Sequence, residues 1–262
     1  MKKTDTLKEI VLKKKERIAS AKAILPMQEL KAKVQGLSPA RPFIEAINKP
    51  RQISLIAEIK RQSPSSGVIR EDFDLQKIAG IYQEAGVQAI SVLTEEDYFA
   101  GNVSYINEVK KIAQAPVLRK DFILEAYQVY ESRFFGADAI LLIAELLTRE
   151  KLCELMQLAQ ELGLDCLVEA HTEKELKKIL NLKVPLIGIN NRDLHTLEVD
   201  FKITEKLFPL IPKDKVVVVE SGIKSSQDVL FLKILGVSAV LVGETLMRAG
   251  DLHKKIEEIM GW

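Results

Sequence analysis

One structural unit recurs eight times between residues 54 and 243: a short apolar run, a polar loop and an amphipathic segment with helical spacing. Short apolar runs are typical of strands that are covered on both faces, as in parallel sheets. The predicted strands span residues 55–60, 89–93, 117–120, 139–143, 166–169, 186–190, 216–220 and 239–243, and helical patterns between them include residues 75–85, 105–114, 126–135 and 149–162. Eight strand–helix units are what a closed parallel sheet requires, so the repeat predicts an α/β protein, a single-domain (β/α)8 TIM barrel.

A doubly wound open sheet is built from the same units and is the main alternative fold. That fold more often carries a glycine-rich phosphate loop, GxGxxG, after its first strand. In this chain the first predicted strand is followed by SPSSG at residues 63–67, which does not match. The count of eight units therefore favours the barrel.

About 48 residues precede the first unit, and their pattern predicts a helical extension. Residues 5–24 have apolar positions near helical spacing, and residues 43–47 predict a short helix after a loop that contains Pro39 and Pro42. We expect residues 1–48 to form this extension and residues 49–262 to form the barrel, together as one structural domain. Lys13, Lys14 and Lys15 are interleaved with acidic residues and lack aromatic neighbours, which favours a solvated helix face over a nucleic-acid site.

The composition excludes several classes of function. Lys and Arg number 38 and Asp and Glu number 37, so the net charge of +1 gives no general attraction to nucleic acid or membrane. No apolar run reaches transmembrane length and the first residues lack a signal-peptide core, so we expect a cytoplasmic protein. Cys153 and Cys166 are too few for a disulfide framework, and the scattered His171, His195 and His253 form no metal-binding pattern, so we expect no metal.

Charged and polar residues stand at the ends of the predicted strands, where barrels of this kind place catalysis. They are Glu58 and Lys60 on the first strand, Ser91 on the second, Lys120 on the third, Glu169 on the fifth, Asn190 on the sixth and Glu220 on the seventh. Glu58 and Lys60 alone would be explained equally well by a structural ion pair. Five ionisable groups are harder to attribute to stability, because burying charge is costly. We therefore predict that they converge in one site of acid–base chemistry.

Glycines follow the last two predicted strands, in the sequences Glu220-Ser221-Gly222 and Val242-Gly243-Glu244. Tight turns would explain either glycine taken singly. At the ends of strands seven and eight together, however, exposed backbone N–H groups form the usual phosphate site of the fold. The pair therefore predicts a substrate with a phosphate group.

The same stretches strongly resemble the indole-3-glycerol-phosphate synthases of tryptophan biosynthesis. The resemblance is carried by LIAEIKRQSPSSG, SVLTEEDYFAG, VLRKDFILEAYQVYESRFFGADAILLI, LVEAHT, IGINNRDL and VVESGI, in the family's order and over essentially the whole chain. It implies a carboxy-lyase that converts 1-(2-carboxyphenylamino)-1-deoxyribulose 5-phosphate to indole-3-glycerol phosphate by ring closure, loss of carbon dioxide and loss of water. It also implies neither metal nor organic cofactor.

The resemblance further implies which residues act. The family's catalytic pattern falls on Glu58, Lys60, Lys120, Glu169, Asn190, Glu220 and Ser221, and its binding positions fall on Ser63, Ser91, Phe99, Phe122, Leu141, Gly222 and Gly243. The extension corresponds to the helix that covers the catalytic face in the family.

Roles can be assigned by resemblance and by the needs of the reaction. Lys120 is expected to protonate the ketose oxygen during ring closure, and Lys60 to hold the substrate carboxylate. Loss of water needs an acid and a base, for which Glu169 and Glu58 are the candidates, with Glu169 favoured as the acid. How these roles divide among the lysines and Glu169 stays open at this stage.

Other positions are expected to support the reaction or to stand beside the site. Asn190 and Glu220 are expected to orient the substrate and the lysines, while Phe99 and Phe122 would sandwich the aromatic ring. Glu244 stands where some relatives carry serine, which removes side-chain help to the phosphate but not the backbone site. His171 shares the face of Glu169 by alternation but lies beyond the strand in a loop, so we do not count it as catalytic.

Two other functions remain as alternatives: another phosphate-binding barrel, such as a phosphoribosyl isomerase, and a sugar-phosphate-binding barrel without catalysis. Isomerases of that kind favour an acid–base pair of Asp or Cys over two lysines with three glutamates. A non-catalytic barrel would have lost Lys120 or Glu169, and both are present. We expect a monomer that acts on a small phosphorylated substrate, because no long apolar surface stripe stands out.

Overall fold

Eight parallel strands close into a barrel in the computed structural model, which describes residues 6–262. The strands are β1 Ser54–Ile59, β2 Ala89–Leu93, β3 Val117–Lys120, β4 Ala139–Ile143, β5 Asp165–Ala170, β6 Leu186–Asn190, β7 Val216–Glu220 and β8 Ala239–Val242. Each pairs with its neighbours in sequence, and β8 pairs with β1 to close the ring. The predicted barrel is confirmed, and no predicted strand end differs from the observed one by more than one residue.

Helices alternate with the strands and surround them. Those after the first strand are α4 Leu75–Glu84, α5 Ser104–Ile112, α6 Ala126–Phe134, α7 Arg149–Glu161, α8 Glu173–Leu180, α9 Lys202–Leu207, α10 Ser226–Leu235, α11 Glu244–Met247 and α12 Leu252–Met260. A 3-10 turn at Phe208–Leu210 continues α9, and a small hairpin pairs Gln62–Ser63 with Gly67–Val68 just after β1. Among residues 6–262, none of the helices combines the length and apolar character that crossing a membrane would demand.

The apolar core has two layers, because neighbouring strand residues point to opposite faces. In β5, Cys166 and Val168 pack between the strands and the surrounding helices, whereas Leu167 points into the barrel. In β1, Ile56 lies in the barrel interior and Ala57 in the outer layer. The alternation expected from the sequence is confirmed, and it places the polar strand-end residues above the interior layer.

The extension wraps around the barrel from one end to the other. It contains α1 Thr6–Ile24, α2 Met27–Val34 and α3 Phe43–Ile47; the first residue of the predicted 5–24 helix, Asp5, lies outside the described residues. Helix α1 lies over the carboxyl ends of the strands, α2 packs on the outside against α6, and α3 lies at the amino ends. Only α1 therefore covers the catalytic face.

Buried polar contacts fix α3 at the amino end of the barrel. The backbone N–H of Ile44 donates to Asp165 at the start of β5, and that of Arg41 donates to Asp138 just before β4. Phe43 and Ile47 are fully buried and complete the interior layer from below. The extension thus closes one end of the barrel with apolar side chains and leaves the other end for polar groups.

Candidate active site

A cavity of about 780 Å³ opens at the carboxyl ends of the strands. All seven residues predicted as catalytic line it, and five predicted binding residues do so as well: Glu58, Lys60, Lys120, Glu169, Asn190, Glu220 and Ser221, with Phe99, Phe122, Leu141, Gly222 and Gly243. Strand ends far apart in sequence thus bring these side chains to a single pocket, because parallel strands of a closed barrel end on the same face.

The amine of Lys120 lies between two buried carboxylates. Its Nζ is 3.0 Å from Oε2 of Glu220 and 3.5 Å from Oε2 of Glu169. Both carboxylates are almost completely buried, whereas Lys120 keeps about 15% of its side chain exposed to the cavity. Burial opposes the charge on Lys120, but Glu220, Glu169 and Glu58 outweigh it and hold the pKa of the amine well above its usual range. Lys120 is therefore an ammonium at every physiological pH.

Glu58 and Lys60 form a second ion pair in the same cavity. Lys60 Nζ lies 2.7 Å from Glu58 Oε1, and both residues come from the end of β1. The backbone carbonyl of Glu58 accepts a hydrogen bond from the buried Tyr82 hydroxyl, 3.1 Å away, which anchors this strand end to α4. The ion pair that was the alternative explanation for these two residues is present, and it lies in the same cavity as the Lys120 cluster.

Glu169 and Glu220 differ in their electrostatic surroundings. Burial opposes ionisation of Glu169, but Lys120, His171 and the Asn190 amide outweigh it and lower its pKa to about 2. Burial raises the pKa of Glu220 to about 8, and the charge on Glu169 adds to this effect although Lys120 opposes it. At neutral pH the cluster therefore holds Glu169 as a carboxylate and a proton on Glu220, as expected when like charges share a small site.

Several polar atoms of this cluster have no hydrogen-bonding partner among residues 6–262. They are both carboxyl oxygens of Glu220, Oε2 of Glu169 and the hydroxyl of Ser91. Lys120 contacts the two carboxylates at ion-pair distance but outside the angles of a hydrogen bond. Leaving buried polar atoms unpaired is unfavourable, so the arrangement suits a site that a polar ligand completes.

The turns after β7 and β8 line the cavity with Ser221, Gly222 and Gly243. Ser221 and Gly222 have φ of +66° and +85°, and the positive φ at Ser221 is an uncommon conformation for a residue with a side chain. A Cβ atom on Gly222 would lie 2.8 Å from Val199, and one on Gly243 would lie 2.0 Å from Oε1 of Glu58. A side chain at either position would displace its neighbours, so glycine keeps both turns free of side-chain atoms at the cavity wall.

Phe99 and Phe122 form one wall of the cavity. Their ring centroids lie 6.2 Å apart with an angle of 41° between the rings. An aromatic ring between two others needs about 7 Å, twice the contact distance of carbon atoms. The two rings pack against each other in this structure, and the sandwich around a substrate ring stays a prediction.

Two predicted binding serines lie outside the wall of the main cavity. Ser63 lines a smaller adjoining recess beneath α1, together with Leu7, Ile10 and both aromatic residues of the wall. Ser91 is fully buried and lies level with Glu58 on the neighbouring strand, where the barrel interior covers it.

Sequence reasoning missed two arginines that line the cavity, Arg192 and Arg248. Arg192 donates to the Ser65 hydroxyl at 3.2 Å and lies 3.5 Å from the Glu244 carboxylate. It stands two residues after Asn190, so extending the alternation of β6 by one step would have found it. Arg248 pairs with Glu244 at 2.9 Å, and nothing in the local sequence pattern indicated this residue.

Glu244 occupies the position where serine stands in some relatives, and its carboxylate has partners. It accepts a hydrogen bond from Ser66 at 2.9 Å and pairs with the two arginines. Burial opposes ionisation of Glu244, but Arg248 and Ser66, with the nearby Lys60, outweigh it and lower the pKa of the carboxyl. The carboxylate therefore organises the arginines around the site of the two glycines.

Among residues 6–262, one acidic group has the spacing to hold a metal ion: Glu95, Glu96 and Asp97. Its three carboxylates already form hydrogen bonds or ion pairs with other residues of the chain. Glu95 accepts backbone hydrogen bonds from Tyr98 at 2.7 Å and Phe99 at 3.1 Å. Glu96 pairs with Lys14 and Asp97 with Arg17, both at 2.7 Å. The group acts as an anchor for α1 and for the segment that carries Phe99.

A closed (β/α)8 barrel with paired amines and carboxylates at the carboxyl ends of its strands defines the class of the protein, an enzyme barrel built for acid–base chemistry. Solved structures agree on the fold. The 3-hexulose-6-phosphate synthase of Salmonella typhimurium matches with a TM-score of 0.64 over 80% of this chain and 97% of that one, at 15% identity. A chain of the tryptophan synthase complex of Pyrococcus furiosus matches with a TM-score of 0.60 over 80% and 98%, at 18% identity.

Sequence relatives are far more similar. The sequence model of indole-3-glycerol phosphate synthase matches residues 7–259. The indole-3-glycerol phosphate synthase of Acetivibrio thermocellus is 49% identical over 254 residues, which cover 96% of this chain and 98% of that protein. The one of Caldanaerobacter subterraneus is 49% identical over 260 residues, covering 97% and 99%. The chain belongs to the indole-3-glycerol phosphate synthase family, whose members are carboxy-lyases of tryptophan biosynthesis.

Proposed function

We propose that the barrel mouth synthesises indole-3-glycerol phosphate from 1-(2-carboxyphenylamino)-1-deoxyribulose 5-phosphate, with Lys120 as the central catalytic group. The observation that carries this proposal is the Lys120 ammonium between Glu169 and Glu220, which together have three buried carboxyl oxygens without a hydrogen-bonding partner in the described part of the chain. A polar substrate that undergoes several proton transfers fits such a cluster. Family membership supports the same reaction.

The cavity supports one orientation of the substrate. We place its phosphate at the glycine turns of Gly222 and Gly243, in the cavity that Arg192 and Arg248 also line. The aromatic ring then lies along the Phe99–Phe122 wall. This arrangement holds the two ends of the substrate and leaves the reacting ketone above the Lys120 cluster, so the reacting carbons are kept close together.

Ring closure joins the ring carbon that bears the carboxylate to the ketone carbon. The ketone oxygen gains negative charge as the bond forms, and the Lys120 ammonium donates a proton to it. Lys60, which is paired with Glu58, holds the substrate carboxylate until carbon dioxide leaves and the bonding electrons restore the aromatic ring. Asn190 keeps Glu169 ionised beside Lys120, which holds the amine in place.

Dehydration then removes the new hydroxyl group as water and takes one proton from the five-membered ring. The sequence-based expectation favoured Glu169 as the acid in this step. The raised pKa of Glu220 and the lowered pKa of Glu169 instead support Glu220 as the proton donor at neutral pH. Glu58 or Glu169 accepts the ring proton. The reaction consumes one proton overall, because the carboxylate leaves as neutral carbon dioxide.

The test mixes purified protein with the substrate and follows the ultraviolet absorbance of indole together with proton uptake. We expect an indole spectrum and one proton consumed per turnover. Isomerised substrate without an indole spectrum would favour a phosphoribosyl-isomerase-like barrel. Binding of phosphate compounds without any conversion would favour a non-catalytic barrel.

We further propose that the chain works as a monomer in the cytoplasm, without nucleic acid, and that extension and barrel form one domain. Both cysteines, Cys153 and Cys166, are free thiols, which suits a reducing compartment. Buried ion pairs between α1 and the barrel support a single folding unit. Size-exclusion chromatography with light scattering tests the monomer, and a single unfolding transition in urea tests the single domain.

A further inference from the structure

His171 is a buried titratable residue that has no part in the reaction steps above. It follows β5 directly, is 9% exposed, and lies behind the cavity wall. Its two ring nitrogens face two carboxylates. Nε2 lies 3.3 Å from Oε1 of Glu169, and Nδ1 lies 3.4 Å from Oε2 of Glu175. A buried histidine with a carboxylate on each side needs an explanation beyond packing.

Glu175 is held in place by the start of α8. Its Oε2 accepts the backbone N–H of His171 at 2.8 Å, and its Oε1 accepts the Thr172 hydroxyl at 2.7 Å. The Thr172 hydroxyl in turn accepts the backbone N–H of Glu175 and caps the helix. These hydrogen bonds and the neighbouring imidazole outweigh burial and lower the pKa of Glu175. A fixed negative charge therefore stands behind His171.

The two oxygens of Glu169 have different neighbours. Oε1 faces His171 at 3.3 Å, and Oε2 faces Lys120 at 3.5 Å. Four charged groups therefore alternate in sign from α8 to the cavity, Glu175, His171, Glu169 and Lys120, and the protonated Glu220 lies beyond Lys120. His171 is the member of this chain that connects the helix to the reacting groups.

We propose that His171 is a positioning residue of this enzyme: as an imidazolium held by Glu175, it fixes the Glu169 carboxylate so that its second oxygen faces Lys120. The proposal rests on the proposed roles of Lys120 and Glu169. A neutral imidazole has one N–H, so one of its ring nitrogens would direct a lone pair at a carboxylate. Both ring nitrogens lie at ion-pair distance from a carboxylate but outside the angles of a hydrogen bond, so this geometry favours charge attraction between an imidazolium and the two carboxylates.

Electrostatics support the charged form. The titratable groups that face His171 are Glu169 from β5 and Glu175 from α8, and Lys120 from β3 is reached only through Glu169. Burial opposes the charge on the ring, but the two carboxylates outweigh it and raise the pKa of His171 to about 10. His171 is thus cationic throughout the neutral range, where an ordinary histidine is mostly neutral.

The first measurement is an NMR titration of the histidine ring signals in the wild-type protein, with His171 assigned by comparison with His171→Gln. We expect the His171 ring to stay protonated from pH 6 to pH 9. A ring that loses its proton below pH 7 overturns the proposal. This result depends on no activity, so it is informative even if a variant folds poorly or the proposed reaction is not observed.

The second measurement is the pH dependence of kcat for His171→Gln, in which the amide keeps a donor but loses the charge. We expect kcat to fall about tenfold or more, with KM changed less than about threefold, because His171 acts through Glu169 and not on the substrate. We also expect the acid limb of the kcat profile to move to higher pH, since Glu169 loses a cation that keeps it ionised. Wild-type kcat and an unmoved profile overturn the proposal.

Two further variants separate this role from a structural one. Glu175→Gln should move the acid limb of the kcat profile in the same direction as His171→Gln. The double variant should lose little more kcat than His171→Gln alone, because both substitutions remove the effect of the same imidazolium charge. His253→Gln, at an exposed histidine of α12 that also faces a glutamate, should change neither kcat nor the profile. Independent, additive losses from the two buried variants would instead indicate separate structural roles. If the wild type is active and the variants lose no activity, only the proposed role of His171 is refuted. If the wild type itself is inactive, the proposed function is refuted.

Discussion

Lys14, in the middle of the first helix, has its amine 2.9 Å from the carboxylate of Asp121, the residue that follows Lys120. Both side chains are buried, so the solvated helix face expected from the sequence is wrong for Lys14, whose charge is needed inside the protein to pair with Asp121. Asp121 is also 3.0 Å from Arg119. Burial opposes ionisation of Asp121, but Lys14 and Arg119 outweigh it and hold the pKa of the carboxyl well below its usual range. The extension is therefore joined by a buried ion pair to the strand end that carries the central amine.

Replacing Lys14 with Met should destabilise the protein, because it leaves the buried Asp121 carboxylate with one cation fewer. We expect a loss of about 3 kcal/mol in the free energy of unfolding at pH 7, measured by urea denaturation. Since the folded-state pKa of Asp121 is depressed, this stabilisation exists above the unfolded pKa of about 4 and disappears as pH falls further. Lys13→Met, at an exposed lysine that pairs with Glu16, is the control and should change stability little. Equal effects of the two substitutions would contradict the prediction.

Lys120→Met should abolish turnover with a modest effect on binding, because a proton donor acts mainly in the transition state. We expect kcat to fall by about 10² to 10⁴ and the affinity for product to change less than about threefold, by indole absorbance and calorimetry. Lys120→Arg is a matched variant that keeps the charge beside Glu169 and Glu220. It should bind normally and stay slow, because arginine does not give up its proton at accessible pH. Near wild-type turnover in the Met variant would remove Lys120 from the mechanism.

Glu220→Gln should stabilise the protein in alkaline solution while it slows the reaction. The pKa of Glu220 is about 8 in the folded protein and about 4.5 in the unfolded chain. Its contribution to stability is therefore fully present below pH 4.5 and is lost as pH rises through 8. Glutamine avoids this loss. We expect the Tm of the variant to exceed that of wild type by a few degrees at pH 9, with a much smaller difference at pH 5. A difference that is larger at pH 5 would show that the proton does not reside on Glu220.

Gly243→Ala should disturb the site and not the fold, because the new Cβ would lie 2.0 Å from Oε1 of Glu58. The Glu58 carboxylate must move, which disrupts its ion pair with Lys60 and narrows the proposed phosphate site. We expect kcat/KM to fall at least about tenfold, with a weaker affinity for inorganic phosphate. Gly80→Ala, in α4 with open space around the new atom, is the control and should keep full activity with equal or slightly higher stability. Unchanged kinetics in Gly243→Ala would place the phosphate elsewhere.

The sequence was sufficient for the barrel because each strand and helix carries its own local pattern. The alternation in β5 put Leu167 in the interior and Cys166 outside, and the structure confirms both. The same alternation led to Lys120, Glu169 and Glu220 as neighbours, because parallel strands of a closed barrel end on one face. Period-2 and period-3.6 patterns are properties of the chain itself, so they can be read without coordinates.

The sequence by itself thus determined the closed barrel, the family and the set of polar strand ends. Only the tertiary structure decided which groups pair: Lys14 with Asp121, His171 between Glu169 and Glu175, and Arg192 with Glu244. It also showed that Phe99 and Phe122 form one wall. The physical reason is that distances of a few ångströms between side chains from different elements, and the burial that strengthens charge interactions there, depend on packing and not on spacing along the chain.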